Sequence, residues 1–170
     1  MIELNSKTQQ DFLNREWAQK LIDAGVDMSD SKYIIAKDKL SKYDDEPDLT
    51  DYIWYKDSTA EVYDVCPTYT TAELLYKLHE WIYPTIDGKE YSGGLKMIKD
   101  APFYICWYDL GRNEKRQTVD GEETVIAKGP ENYIYAEFEY PIESLASLLI
   151  QCHKKDIGMK TKDTGNISDK

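Results

Sequence analysis

Apolar residues recur along this chain with two periods, and the clearest change from one to the other falls in 134–152. Ile134, Ala136, Phe138 and Tyr140 alternate with Tyr133, Tyr135, Glu137 and Glu139, the two-residue repeat of a strand with one dry and one wet side. Pro141 follows, where a first helical turn tolerates a missing amide hydrogen. Ile142, Leu145, Leu148, Leu149 and Cys152 then return at helical spacing, with Gly158 placed as a stop. A strand feeding such a helix predicts a sheet covered by helices.

The same reading extends upstream. Phe12, Leu13, Trp17, Leu21 and Ala24 form a stripe that predicts a helix over 8–24, with Thr8 as its cap, Asp11 near the first-turn amides and Gly25 as its end. A second helix is expected from Thr70, whose capping-box partner is Glu73, with Leu74, Leu75, Leu78, Trp81 and Ile82 as its buried stripe. Between them the pattern weakens. Tyr33, Ile34 and Ile35 start a short element, and Tyr52, Ile53, Trp54 and Tyr55 bring the chain back as a strand. The acids Asp44, Asp45, Glu46, Asp48 and Asp51 surround Pro47 and read as a loop, so 27–64 is expected to be an insertion or arm.

Downstream, Asp87 and Gly88 favour a tight hairpin, and 95–99 and 103–109 read as strands. In the latter, Phe103, Ile105 and Trp107 share one face while Tyr104, Cys106 and Tyr108 share the other, which is taken as the outward one. Asp120 and Gly121 sit between two extended segments, the plainest hairpin signal in the chain. The expectation is one α+β domain over 1–158, an antiparallel sheet packed against two or three helices, followed by a flexible polar tail over 159–170.

Composition narrows the class of partner. At 170 residues a core needs no metal or disulfide to hold it, and 41% apolar with 31% charged residues fits a soluble domain. The net charge of −11 argues against nucleic acid and anionic membranes and favours a basic protein partner or a homo-oligomer. No apolar run is long enough to span a membrane, MIELNSKTQQ lacks a secretory pattern, and three scattered cysteines give no disulfide framework; these features point to the cytoplasm.

Candidate chemistry is sparse. Cys152 and His153 are adjacent on a helix and so diverge, placing the thiol toward the core and the imidazole toward water. The two histidines and three cysteines show no metal-ligand spacing, the acidic loop lacks the calcium-loop pattern, and Gly93 and Gly94 lack the spacing of a phosphate-binding loop. No catalytic residue, cofactor or metal is expected. Glu137, Glu139 and Asp109 have a simple role in keeping a strand's wet face soluble, although paired carboxylates also serve hydrolases.

The aromatics have the stronger claim: fourteen tyrosines and four tryptophans supply broad rings with polar edges. Tyr104, Tyr108, Tyr133 and Tyr135 are expected to form a recognition face with the acids Asp44, Asp45, Glu46, Asp48 and Asp51 as a second element.

The segment CPTYTTAELLYKLHEWI, with the later YPIESLASLLIQCHKKDIG, resembles small phage and prophage proteins of unknown function over about 66–158. PIESLASLL also resembles the sheet-to-helix ending of HicB-like domains. Neither resemblance brings catalytic residues. The functional expectation is an accessory protein-interaction domain using aromatic and acidic surface. The alternatives are a small-molecule hydrolase using carboxylates or His153, and an acidic nucleic-acid mimic.

Overall fold

A computed structural model describes residues 1–3, 8–40, 48–110, 115–119, 122–127 and 133–157, and of 115–119 and 122–127 the backbone alone. The fold is α+β, with helices packed against antiparallel sheets. The first sheet has the order β1-β3-β2-β4, built from β1 (Ile2–Glu3), β2 (Tyr33–Asp38), β3 (Tyr52–Tyr55) and β4 (Val62–Thr68). The second has the order β12-β9-β8-β5, built from β5 (Trp81–Ile82), β8 (Gly93–Asp100), β9 (Phe103–Asp109) and β12 (Tyr135–Phe138). Two hairpins stand apart: β6 (Thr85–Ile86) with β7 (Lys89–Glu90), and β10 (Lys115–Val119) with β11 (Glu122–Ala127). The 27–64 stretch, expected as an insertion or arm, supplies β2 and β3, whose Ile35 and Ile53 lie in the core.

Helix α3 (Pro141–Lys154) joins the layers. It begins with proline in its first turn, and Ile142, Leu145, Leu148, Leu149 and Cys152 are all buried, as their spacing predicts. It packs on β9 and β12, on α1 (Arg15–Asp23) and on α2 (Thr71–Lys77); α1 packs in turn on β4. One continuous core results, running from Ile35, Ile53 and Cys66 to Cys106, Tyr108 and Ala136.

Two helix boundaries differ from the sequence reading. α1 starts after Asn14, whose side chain accepts the Trp17 amide hydrogen at 2.9 Å, whereas Thr8 lies in a short 3-10 turn. Phe12 and Leu13 stay buried outside the helix because they run beside the end of β4: the Leu13 amide donates to the Tyr69 carbonyl at 3.0 Å. α2 has the expected capping box between Thr70 and Glu73 but ends at Lys77. Trp81 and Ile82 belong instead to β5, because pairing with Gly94 and Gly93 satisfies their backbone groups.

The hairpin signals are clearer. Asp87 and Gly88 both have positive φ, 50° and 75°, as a two-residue turn with the twist of its strands requires. Val119 pairs with Glu122 across the second hairpin, whose turn residues Asp120 and Gly121 lie outside the described residues. The tail expected over 159–170 and the helix stop at Gly158 lie outside them as well.

A candidate interaction face on the second sheet

Register decides which residues of the second sheet share a face. Trp107 pairs with Lys96 on one side and Tyr135 on the other; Ile105 pairs with Ile98 and Glu137; Phe103 pairs with Asp100. Cys106 pairs with Met97 and Ala136, and Tyr108 pairs with Leu95, one residue out of phase and therefore on the opposite side. Cys106, Tyr108 and Ala136 are buried under α3, whose Ser144 hydroxyl donates to the Tyr104 carbonyl at 2.7 Å. The row Phe103, Ile105 and Trp107 thus faces outward.

This corrects the sequence reading of β9, in which Tyr104 and Tyr108 faced out. Alternation separates two faces but does not say which one meets the helix. Here the small Cys106 lets α3 approach, and the Tyr108 hydroxyl finds an internal partner by donating to the His79 carbonyl at 2.6 Å. Burial raises the Tyr108 phenol well above its ordinary value. Tyr104 is half-buried on the helix side, with the Lys99 ammonium 5.4 Å from its ring centroid. Tyr133 is half-buried beneath Lys155, whose Nζ lies 4.2 Å from the ring centroid. Of the four tyrosines, Tyr135 belongs with the outward row, and its hydroxyl donates to Glu137 Oε2 at 2.6 Å. That bond raises the phenol's pKa.

The outward face carries large apolar groups at its margins: Trp81, Ile98 and Phe103 are 43%, 49% and 41% exposed. Gly94 lies beneath Trp81, whose indole would be in ordinary contact, 3.5 Å away, with a Cβ at that position. Trp81, Lys96, Glu80 and Asp109 surround a dimple of about 110 Å³. At the sheet's β12 edge, Gln151 acts as a substitute strand: the Tyr135 amide donates to its Oε1 at 3.3 Å and its Nε2 donates to the Tyr135 carbonyl at 2.8 Å. That pairing blocks part of the edge and leaves the face as the accessible surface.

The acidic element is differently placed. Asp44, Asp45 and Glu46 lie outside the described residues. Asp48 accepts the Thr50 amide at 2.9 Å and the Tyr52 hydroxyl at 2.5 Å, and hydrogen bonds from the Thr50 side chain, the Tyr52 hydroxyl and the Thr50 amide lower its pKa. Asp51 sits in a four-charge network. Arg15 Nη2 donates to it at 2.6 Å, Lys37 Nζ lies 3.4 Å away, and both cations also reach Asp64. Arg15 holds the Asp51 carboxyl below its ordinary range, and Lys37 does the same for Asp64. Arg15 Nη2 also donates to the Asp64 carbonyl at 2.9 Å, which ties α1 to β4. Asp51 is therefore internally neutralised. No local pattern signals this pairing, because its partners Lys37 and Arg15 lie 14 and 36 residues away.

The residues considered for chemistry do not converge. Cys152 is fully buried, its thiol pushed up to about 12 by desolvation, while His153 faces outward near Gly25. Cys106 is likewise buried and pushed up to about 11. Among the described residues no His, Cys, Asp or Glu cluster has metal-binding geometry. A cleft of about 370 Å³ beside α2 is lined by Asp30, Tyr69, Glu73 and Lys77. Four of its polar groups are already engaged: Lys77 pairs with Asp30 at 2.9 Å, Tyr69 donates to Asp30 at 2.6 Å, and Glu73 serves the α2 cap; the cleft's remaining cation is Lys32. No described helix is long and apolar enough to cross a membrane. Comparison with protein families, curated proteins and solved structures gave no match.

Proposed function

We propose that the chain is an accessory protein-interaction domain that receives a basic polypeptide on the outward face of its second sheet. The observation carrying this reading is the exposure of Trp81, Ile98 and Phe103 on the face that also bears Ile105, Trp107 and Tyr135. Aromatic anchors of this kind dominate protein interfaces. Among the described residues of this face, Asp100, Asp109 and Glu137 border the rings against one cation, Lys96, and the chain's net charge of −11 adds attraction at longer range. At about 4.8 Å between strands and 3.3 Å per residue, three strands offer a patch of roughly 10 by 20 Å, smaller than the ~800 Å² per partner of a stable interface. Binding is accordingly expected to be micromolar and salt-sensitive.

A photocrosslinking residue at position 98 provides the test. The reading expects an adduct with a cationic polypeptide whose purified form binds the chain. Binding should weaken as salt rises and be lost in Ile98→Lys and Trp107→Ala variants that keep the native circular dichroism. A homodimer closed through this face, or a partner indifferent to both substitutions, overturns it.

A further inference from the structure

Ser31, in the loop entering β2, is 3% exposed, and its hydroxyl is the single buried side-chain polar atom among the described residues that lacks a hydrogen-bond partner. An unpaired buried hydroxyl is costly, and alanine would remove the cost without loss of packing. Ser31 lines a groove of about 670 Å³ between this loop and the turn after β3. Lys32 stands on the groove and enters none of the ion pairs among the described residues. Lys56 is its cross-strand neighbour, its amide donating to the Lys32 carbonyl at 2.9 Å. It donates one proton to the Ser29 carbonyl at 2.5 Å, which leaves two. Ser58 and Thr59 add hydroxyls, and Asp57 is the one carboxylate of the lining. Tyr55 forms a wall; its exposed ring rests on Tyr33 with centroids 4.9 Å apart and planes inclined by 36°.

Two ammonium groups to one carboxylate reverse the balance of a chain with net charge −11. We propose that this groove binds a small phosphomonoester, its dianion on Lys32 and Lys56 and its planar group against Tyr55. The hydroxyls of Ser31, Ser58 and Thr59 donate to the phosphate oxygens. A phosphate presents three strong acceptor oxygens to this set of donors, more than a carboxylate offers, whereas a cationic ligand meets two like charges. Rotation about the Cα–Cβ bond of Ser31 moves its hydroxyl between staggered positions, and the ligand selects the one that faces the groove.

Amide-resolved NMR titration of the full chain with phenyl phosphate, inorganic phosphate and phenylacetate tests the site. Shifts should be confined to 29–33 and 55–59, with phenyl phosphate bound most tightly, inorganic phosphate less so and phenylacetate least. Lys32→Ala and Lys56→Ala should each weaken binding about tenfold, and Lys32→Arg should retain most of it. Ser31→Ala should weaken binding severalfold while leaving the Tm of the free protein unchanged or higher. Shifts scattered over lysines elsewhere, or equal binding of phenylacetate, overturn the site. So does a Ser31→Ala variant that melts earlier without ligand or binds as tightly as the parent.

Discussion

The two four-stranded sheets use polar groups in opposite ways. Beside the first, Arg15, Lys37, Asp51 and Asp64 join α1, β2, β4 and the residue before β3 in a network of balanced charge. On the second, the acids stand at the border of outward rings, and Tyr135 donates to Glu137 within the same row. Acidic residues near the first sheet are therefore paired with cations that tie elements together, while those of the second flank an exposed apolar face. Net charge alone does not reveal that difference.

The largest predicted effect tests whether the sheets form one body. Leu145→Ala removes a fully buried side chain from α3, which packs on both α1 and the second sheet. It should cost about 2–5 kcal/mol in denaturant unfolding. Fluorescence of Trp54 in the first sheet and Trp107 in the second, each isolated by replacing the other tryptophans with phenylalanine, should still report a single transition. Separate transitions would break the comparison into two independent units.

Tyr108→Phe comes next. It leaves the His79 carbonyl without its donor and should cost about 1–2 kcal/mol. Because burial raises the folded-state pKa above the ordinary 10.0, the phenol's contribution is fully present below about pH 10 and is lost as pH rises further. The phenylalanine variant should therefore show a shallower alkaline decline than the parent, the remainder coming from the buried thiols of Cys106 and Cys152.

Arg15→Ala should have a smaller effect, about 1 kcal/mol, because its network is partly solvated. The Asp51 carboxyl is held below its ordinary 3.8 by the guanidinium. Its contribution is thus complete above about pH 4 and is lost as pH falls through the lowered folded value. Urea midpoints between pH 2 and 5 should show a flatter acid limb in the variant, and an unchanged slope would refute the assigned coupling.

On the outward face, Ile98→Lys should shift stability by no more than about 0.5 kcal/mol, since the side chain is already half-exposed. The sharpest contrast between the sheets is a loss of binding without loss of stability at position 98, against a loss of stability without loss of binding at position 15.

The α+β class, the buried stripe of α3, the capping box of α2, the tight turn at Asp87 and Gly88 and the antiparallel pairing that follows Val119 were legible from spacing and turn chemistry, which depend on residues a few positions apart. Helix ends were less so: Asn14 and Thr8 are both competent caps, and the strand-like contact of Leu13 with Tyr69 chose between them. The alternation in β9 likewise divided its residues correctly into two rows. Only the docking of α3 made Tyr108 internal and Trp107 external, because inside and outside are properties of packing between elements distant in sequence. The same holds for Asp51, an acid in the sequence and half of an ion pair once α1 is brought against the first sheet.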